Sequence, residues 1–182
     1  MKRLLISAGI LAASTFALNA QQKPIASPPE TATATVAGKT ITIDYNSPRV
    51  KGREGHVFTK DGLIKTAHGS QYPIWRGGAN TATTLKTDAD LKIGDLSVPA
   101  GTYTLFVDIA DPDQWTLIIS KKTGEWGLAY DPSQDLGRVK MTMSEPPSMV
   151  EDLKYTIEGH GHSGSITLAW ENKAASVHFM VH

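Results

Sequence analysis

From residue 40 onward, apolar and polar residues alternate with a period of two. Ile41, Ile43 and Tyr45 are interleaved with Thr40, Thr42 and Asp44. Tyr103, Leu105, Val107 and Ile109 alternate with Thr102, Thr104, Phe106 and Asp108, and Trp115, Leu117 and Ile119 follow an Asp111-Pro112-Asp113 turn. The pattern returns in Val139/Met141/Met143, Leu153/Tyr155/Ile157, Ile166/Leu168/Trp170 and Val177/Phe179/Val181. Leu91 and Ile93 are joined to Leu96 and Val98 by Gly94-Asp95, a two-residue hairpin signal. Side chains alternate across a strand, so each run offers one face to a core and one to water. The sequence therefore predicts an all-β fold, an antiparallel β-sandwich (jelly-roll-like or related) of roughly nine or ten short strands. No segment keeps a helical period over three turns; short helices fit only near 61–66 or 149–153.

One interval breaks the rhythm. Asn46 to Asn80 has no alternation, although it contains Val57, Phe58, Leu63, Ile64, Ile74 and Trp75. Loops longer than about 12–15 residues are usually functional or disordered. The apolar residues predict that this one folds back onto the sheets.

The first residues predict an address. Lys2 and Arg3 precede an uncharged apolar run from Leu4 to Leu18, and Asn19-Ala20 leads into Gln21-Gln22. This is the pattern of a secretory signal peptide spanning 1–20, and the apolar run is short for a bilayer span of about 20 residues. Residues 21–33, rich in Pro, Ala and Thr, read as an extended, partly disordered lead-in, and 34–182 as a single domain. The expected location is periplasmic or secreted, with no membrane span after signal removal. There is no Cys, so the fold stands on its core alone.

The chain has 18 basic and 18 acidic residues; without Lys2 and Arg3 there are 16 bases against 18 acids. That balance argues against nucleic acid, which needs a net basic footprint. The long interval is the exception. Arg49, Lys51, Arg53, Lys60, Lys65 and Arg76 face only Glu54 and Asp61 there. Guanidinium is a planar forked donor suited to carboxylate, phosphate or sulfate, and Trp75 adds a flat apolar surface. Arg49, Arg53, Trp75, Arg76 and Asn80 are thus candidates to bind a small anionic or carbohydrate ligand. The competing explanation is structural: arginines that pin a loop through carbonyls, a Trp that plugs the core, and Gly77, Gly78 and Asn80 serving a tight bend.

Other chemistry is less well supplied. His160 and His162 flank a turn, and His178 and His182 lie near the end, but a zinc site needs three or four converging ligands. No metal or cofactor is expected. There is no G-x-S-x-G elbow, and Asp108, Asp111, Asp113 and Asp131 fall at turns, where Asp is favoured for its hydrogen bonds. An envelope hydrolase using Arg76 and Asn80 to steady an oxyanion is the first alternative, with His56 or Asp44 as base; His68 stands in the same interval. A partner-docking domain, which predicts a contiguous apolar patch, is the second.

Three blocks carry a resemblance. Tyr45-Asn46-Ser47-Pro48-Arg49-Val50-Lys51-Gly52-Arg53 is similar to Y-x-x-P-x-x-x-G-R. Trp75-Arg76-Gly77-Gly78-Ala79-Asn80-Thr81-Ala82-Thr83 is similar to W-R-x-G-A-N-x-A-T. Pro99-Ala100-Gly101-Thr102-Tyr103-Thr104-Leu105-Phe106 is similar to P-A-G-x-Y-x-L-F. Together, over about Ile25 to the C-terminus, they resemble the secreted bacterial family called domain of unknown function 2911. The resemblance implies an exported β-rich domain without an established activity. It places the recurring Arg and Asn of that family at Arg49, Arg53, Arg76 and Asn80.

Overall fold

The computed structural model describes residues 25–66, 72–124 and 130–182; the signal-peptide expectation at 1–20 and His68 lie outside them. Two antiparallel sheets face each other. In the first, β1 (Pro29–Val36), β2 (Lys39–Asn46), β4 (Thr83–Thr87), β7 (Gly101–Asp108), β8 (Thr116–Ser120) and β9 (Asp135–Lys140) lie side by side in that order. The short β3 (Ile74–Trp75) continues the β4 edge, pairing with Val107 and Asp108 of β7. The second sheet runs β11 (Val150–His160), β12 (Ser163–Glu171), β13 (Lys173–Val181), β5 (Leu91–Ile93) and β6 (Leu96–Val98), and β10 (Thr142–Ser144) pairs with β13. This is the predicted sandwich, with thirteen strands in place of nine or ten. The excess comes from β1, β3 and β4, which show no apolar alternation, and from the Val139–Met143 run, which divides into β9 and β10.

The alternating apolar residues face inward as expected. Ile41, Ile43, Leu85, Leu105, Leu117, Leu168 and Phe179 are all buried. Alternation fails in the middle of the first sheet, where Phe106 and Ile118 on the other face are buried too. Lys122 and Tyr130 lie on that face. Tyr130 meets Phe106 edge-on at 5.1 Å, and the Thr104 hydroxyl donates to the Lys122 carbonyl at 2.7 Å. The Tyr130 hydroxyl in turn donates to Asp135 at 2.7 Å, and Arg138 donates to the same phenol oxygen. Burial first, and then the Asp135 carboxylate, push the Tyr130 phenol up to about 12.

Both margins of the sandwich are closed by the facing sheet. A Cβ on Gly159 of β11 would lie 2.4 Å from Val36 of β1, and one on Gly137 of β9 would lie 2.5 Å from Leu96 of β6. Edge strands covered in this way are poor templates for pairing with another chain. The lead-in becomes ordered earlier than the composition predicts. Pro29–Thr33 pair with Thr42–Asn46 as part of β1, with Pro29 at the first position of an edge strand, where a missing N–H is tolerated.

The interval Asn46 to Asn80 folds onto one end of the sandwich, as its apolar residues predict. It contains a single helical turn, α1 (Leu63–Thr66), and the strand β3. Val57, Ile64 and Trp75 are buried, and Phe58 is partly buried among Trp75, Trp115 and Trp170 at centroid distances of 4.7–5.8 Å. Trp75 comes from the first sheet and Trp170 from the second. They stack at 5.8 Å with planes 23° apart, so the long loop is anchored where the two sheets meet.

Candidate functional site

At this end of the sandwich lies a cleft of about 350 Å³. Arg49, Arg53, Trp75, Arg76 and Asn80, singled out from sequence, all line it, together with Lys51. Such a volume is at the small end of the range for ligand sites. Three pieces of backbone bring its walls together.

The first wall is 47–56, stitched to the second sheet. The Val50 amide donates to the Glu151 carbonyl at 2.9 Å, and the Leu153 amide donates to the Pro48 carbonyl at 3.0 Å. The Lys51 amide donates to a Glu151 carboxylate oxygen at 2.9 Å, and the Gly55 amide to the Glu171 carboxylate at 2.6 Å. Arg53 locks the turn from within, with Nε on the Val50 carbonyl and Nη2 on the Arg49 carbonyl, both at 2.8 Å. Part of its guanidinium is therefore spent on pinning the loop, as the structural explanation requires. Arg49 Nε lies 2.7 Å from Asp152 Oδ1, but its N–H is not aligned with that contact, so this is an ion pair and not a formed hydrogen bond. Both partners are substantially exposed, and such pairs contribute about 0–1 kcal/mol.

The second wall is the Trp75-to-Asn80 bend. The Trp75 indole N–H donates to the Gly78 carbonyl at 3.0 Å, and Arg76 Nη1 donates to the Asn80 carbonyl at 2.6 Å. Gly77 has φ +63°, and a Cβ there would lie 2.4 Å from the Tyr155 hydroxyl, which donates to the Gly77 carbonyl at 2.9 Å. Gly78 needs no positive φ; its Cβ would press on the Asn46 carbonyl at 3.0 Å. Asn80 has φ 55°, a conformation that Asn tolerates better than most residues. The third wall is the lead-in. The carboxamides of Asn46 and Asn80 both donate to the Ser27 carbonyl, at 3.2 and 3.3 Å, holding Ala26 and Ser27 against the opening.

Two of the sequence expectations change. Trp75 is 2 % exposed, so the open stacking surface expected of it is absent. Its plane is taken by Trp170 and its N–H by Gly78, and it serves as a core plug that also lines the cleft. The second change concerns the base. His56 and Asp44, the two candidates, do not line the cleft. His56 is an exposed turn residue whose carbonyl accepts the Leu63 amide. Asp44 sits on the outer face between Lys86 and Thr31, each at 2.8 Å, and the Lys86 hydrogen bond holds its carboxyl below the usual range.

Sequence reasoning did not single out Lys51 within this cluster, nor Trp170. Lys51 stood in the charge count but not in the site. Trp170 is far from the loop in sequence, and only the packing of the two sheets brings it to Trp75. The other carboxylates have structural duties. Asp108, Asp111 and Asp131 each accept a backbone amide two residues on. Among the described residues, no group of three or more His, Cys, Asp or Glu could hold a metal ion. The exposed large apolar residues Ile25, Met149 and Met180 lie on three separate segments. No described helix is long and apolar enough to cross a membrane.

Electrostatically, the cleft is cationic. Arg76 is 5 % exposed, and this burial pushes its guanidinium below the ordinary arginine value. The group stays charged at neutral pH because that value starts so high. Behind the bend, burial pushes the Tyr155 phenol up, and the Tyr45 phenol is raised for the same reason; the Tyr155 amide donates to the Tyr45 oxygen at 3.3 Å. A raised phenol pKa means that the folded state holds its proton while the unfolded chain releases it near pH 10. The stability these phenols supply is complete below that pH and is lost as pH rises through the folded values. Urea unfolding midpoints are expected to fall between pH 9.5 and 11, and Tyr155→Phe to reduce that slope by comparison with the wild type at each pH. Equal slopes in the two proteins would show that Tyr155 is not a buried neutral donor to the bend.

A family model described as "Protein of unknown function (DUF2911)" matches residues 27–179. The match takes in all three cleft walls from Ser27 onward. No curated protein and no solved structure matches the chain.

Proposed function

The chain belongs to the family of proteins of unknown function DUF2911, and from that premise we propose that it is an exported binding protein whose cleft takes a small anionic or carbohydrate ligand. One observation carries this. Four cationic side chains line a small cleft, and a single carboxylate, Asp152, is ion-paired with them among the described residues. Lys51 and Arg53 have no carboxylate within ion-pair distance among those residues. Cations such as Lys51 and Arg53 around a concavity raise the local concentration of anions. The remaining acids near the loop, Glu151 and Glu171, are turned to backbone amides. Neither His56 nor Asp44, the two candidate bases, lines the cleft.

Calorimetric titration tests this with a panel of sugar phosphates, uronic acids, short carboxylates and neutral oligosaccharides, at low and at physiological salt. At least one charged member is expected to bind, and more weakly at the higher salt. Lys51→Gln removes a charge that anchors nothing, so it should weaken binding several-fold and leave the melting temperature unchanged. If no member binds the wild type at either salt, the proposal fails.

A further inference from the structure

A second group of donors lies at the end of the second sheet away from the cleft. β11 runs from the neighbourhood of Asp152, which pairs with Arg49, to His160 at the opposite end, and the antiparallel β12 and β13 bring Met180 to that end. Exposure alternates along the last residues of the chain. His178, Met180 and His182 are exposed, and Val177, Phe179 and Val181 are buried. Successive side chains of a strand point to opposite faces, so His178, Met180 and His182 share the outer face of β13 and its continuation. The His182 backbone is held in line by its amide, which donates to the Asp90 carbonyl at 3.0 Å. Neighbours on one face of a strand are about 6.4–6.8 Å apart. Met180 therefore has an imidazole on each side, within reach of its flexible thioether. Across the sheet it is level with Ser163 of β12 and Lys92 of β5. Ser163 is small and leaves that flank of the thioether open.

Among the described residues no three His, Cys, Asp or Glu could hold a metal ion, whereas zinc takes three or four such ligands. A thioether changes which metal fits. It is a soft donor that selects Cu(I), and imidazole suits copper as well. Cu(I) is content with two or three ligands, and its single charge is repelled less than a dication by the Lys92 ammonium. Met149 is exposed too, at 38 %, but its second neighbours are Pro147 and Glu151 in place of two imidazoles. We propose that His178, Met180 and His182 form a surface site for Cu(I), with the Met180 thioether as the central ligand and an imidazole on either side. None of the three lines the cleft.

The test titrates the untagged chain, labelled with 13C-methyl methionine, with Cu(I) under anaerobic conditions with ascorbate. Affinity is read by competition with bicinchoninate. The Met180 methyl resonance is expected to move and to saturate at one equivalent, while those of Met141, Met143 and Met149 stay in place. Met180→Leu keeps the volume and lacks the sulfur, so Cu(I) affinity should fall at least tenfold. The residue is 46 % exposed, so the melting temperature should not change. His178→Gln and His182→Gln should each weaken binding several-fold. Zn(II) should bind more weakly than Cu(I), and equally in wild type and Met180→Leu. A Met180 methyl that does not respond, or an equal response at Met149, would overturn the proposal. So would unchanged Cu(I) affinity in Met180→Leu or in both histidine variants, or tighter binding of Zn(II) than of Cu(I).

Discussion

Replacing Trp75 with alanine is expected to cost about 3–5 kcal/mol, the range for truncating a large buried aromatic residue. The side chain is 2 % exposed and sits in contact with Phe58, Trp115 and Trp170. Removing it leaves a cavity where the two sheets meet, and the surrounding β-structure is too constrained to collapse into it fully. It also removes the indole N–H that satisfies the Gly78 carbonyl. The loss corresponds to a melting temperature lower by about 10 °C or more for a domain of this size. Trp75→Phe separates the two contributions, because it keeps much of the ring volume and loses only the donor. Its expected cost is about 1–2 kcal/mol, near that of one unmade buried hydrogen bond plus a small packing defect. Thermal unfolding of the three proteins by circular dichroism checks this. A shift of less than 2 °C for Trp75→Ala would mean that the long loop is not anchored through this residue.

That anchor shows why the fold was easier to read than the site. Period-two alternation is a local property, and Ile41/Ile43, Leu117/Ile119 and Val177/Phe179 all point inward because one face of each strand must be buried. The pattern says nothing about a strand of two residues such as β3, and it reads β9 and β10 as one run. It also misses β1, where Thr and Ala line an edge strand that needs few large side chains. Phe106 violates the alternation because Tyr130, from further along the chain, packs edge-on against it, and a local pattern cannot register that. In the candidate site, charge segregation within Asn46 to Asn80 was legible, and five residues chosen from it converge on one cleft. What the sequence could not supply was the division of labour. Arg53 spends two donors on carbonyls, Trp75 is a core residue, and Trp170 arrives from the opposite sheet. The burial of Trp75 against Trp170 depends on how segments distant in sequence pack, which no local pattern carries.

Arg76 carries the second large effect, this time on binding. Its guanidinium is desolvated at the wall of the cleft and its Nη1 grips the Asn80 carbonyl. Charge-assisted hydrogen bonds to a ligand are worth about 1.5–3 kcal/mol, so Arg76→Met should weaken binding of the best-bound anion of the panel about 10- to 100-fold. It should also cost about 1–3 kcal/mol of stability, because the Asn80 carbonyl loses its Nη1 donor. Methionine fills much of the same space, and replacing a buried charge with an apolar group of similar length relieves its desolvation cost. Arg76→Lys keeps the charge but loses the planar fork, so it should recover only part of the affinity. A residue that merely pins the bend would show that fall in stability without the fall in affinity.

The most direct measurement is a titration of uniformly 15N-labelled wild type and Arg76→Met with the best-bound anion of the calorimetric panel, followed at the indole N–H resonances of Trp75 and Trp170. If the cleft is the binding site, both resonances move saturably in the wild type and do not move over the same range in Arg76→Met. The amides of the β5–β6 hairpin, at the other margin of the second sheet, should stay fixed in both proteins. Saturable shifts confined to that hairpin, or none anywhere at millimolar ligand, would contradict the assignment of this cleft as a binding site.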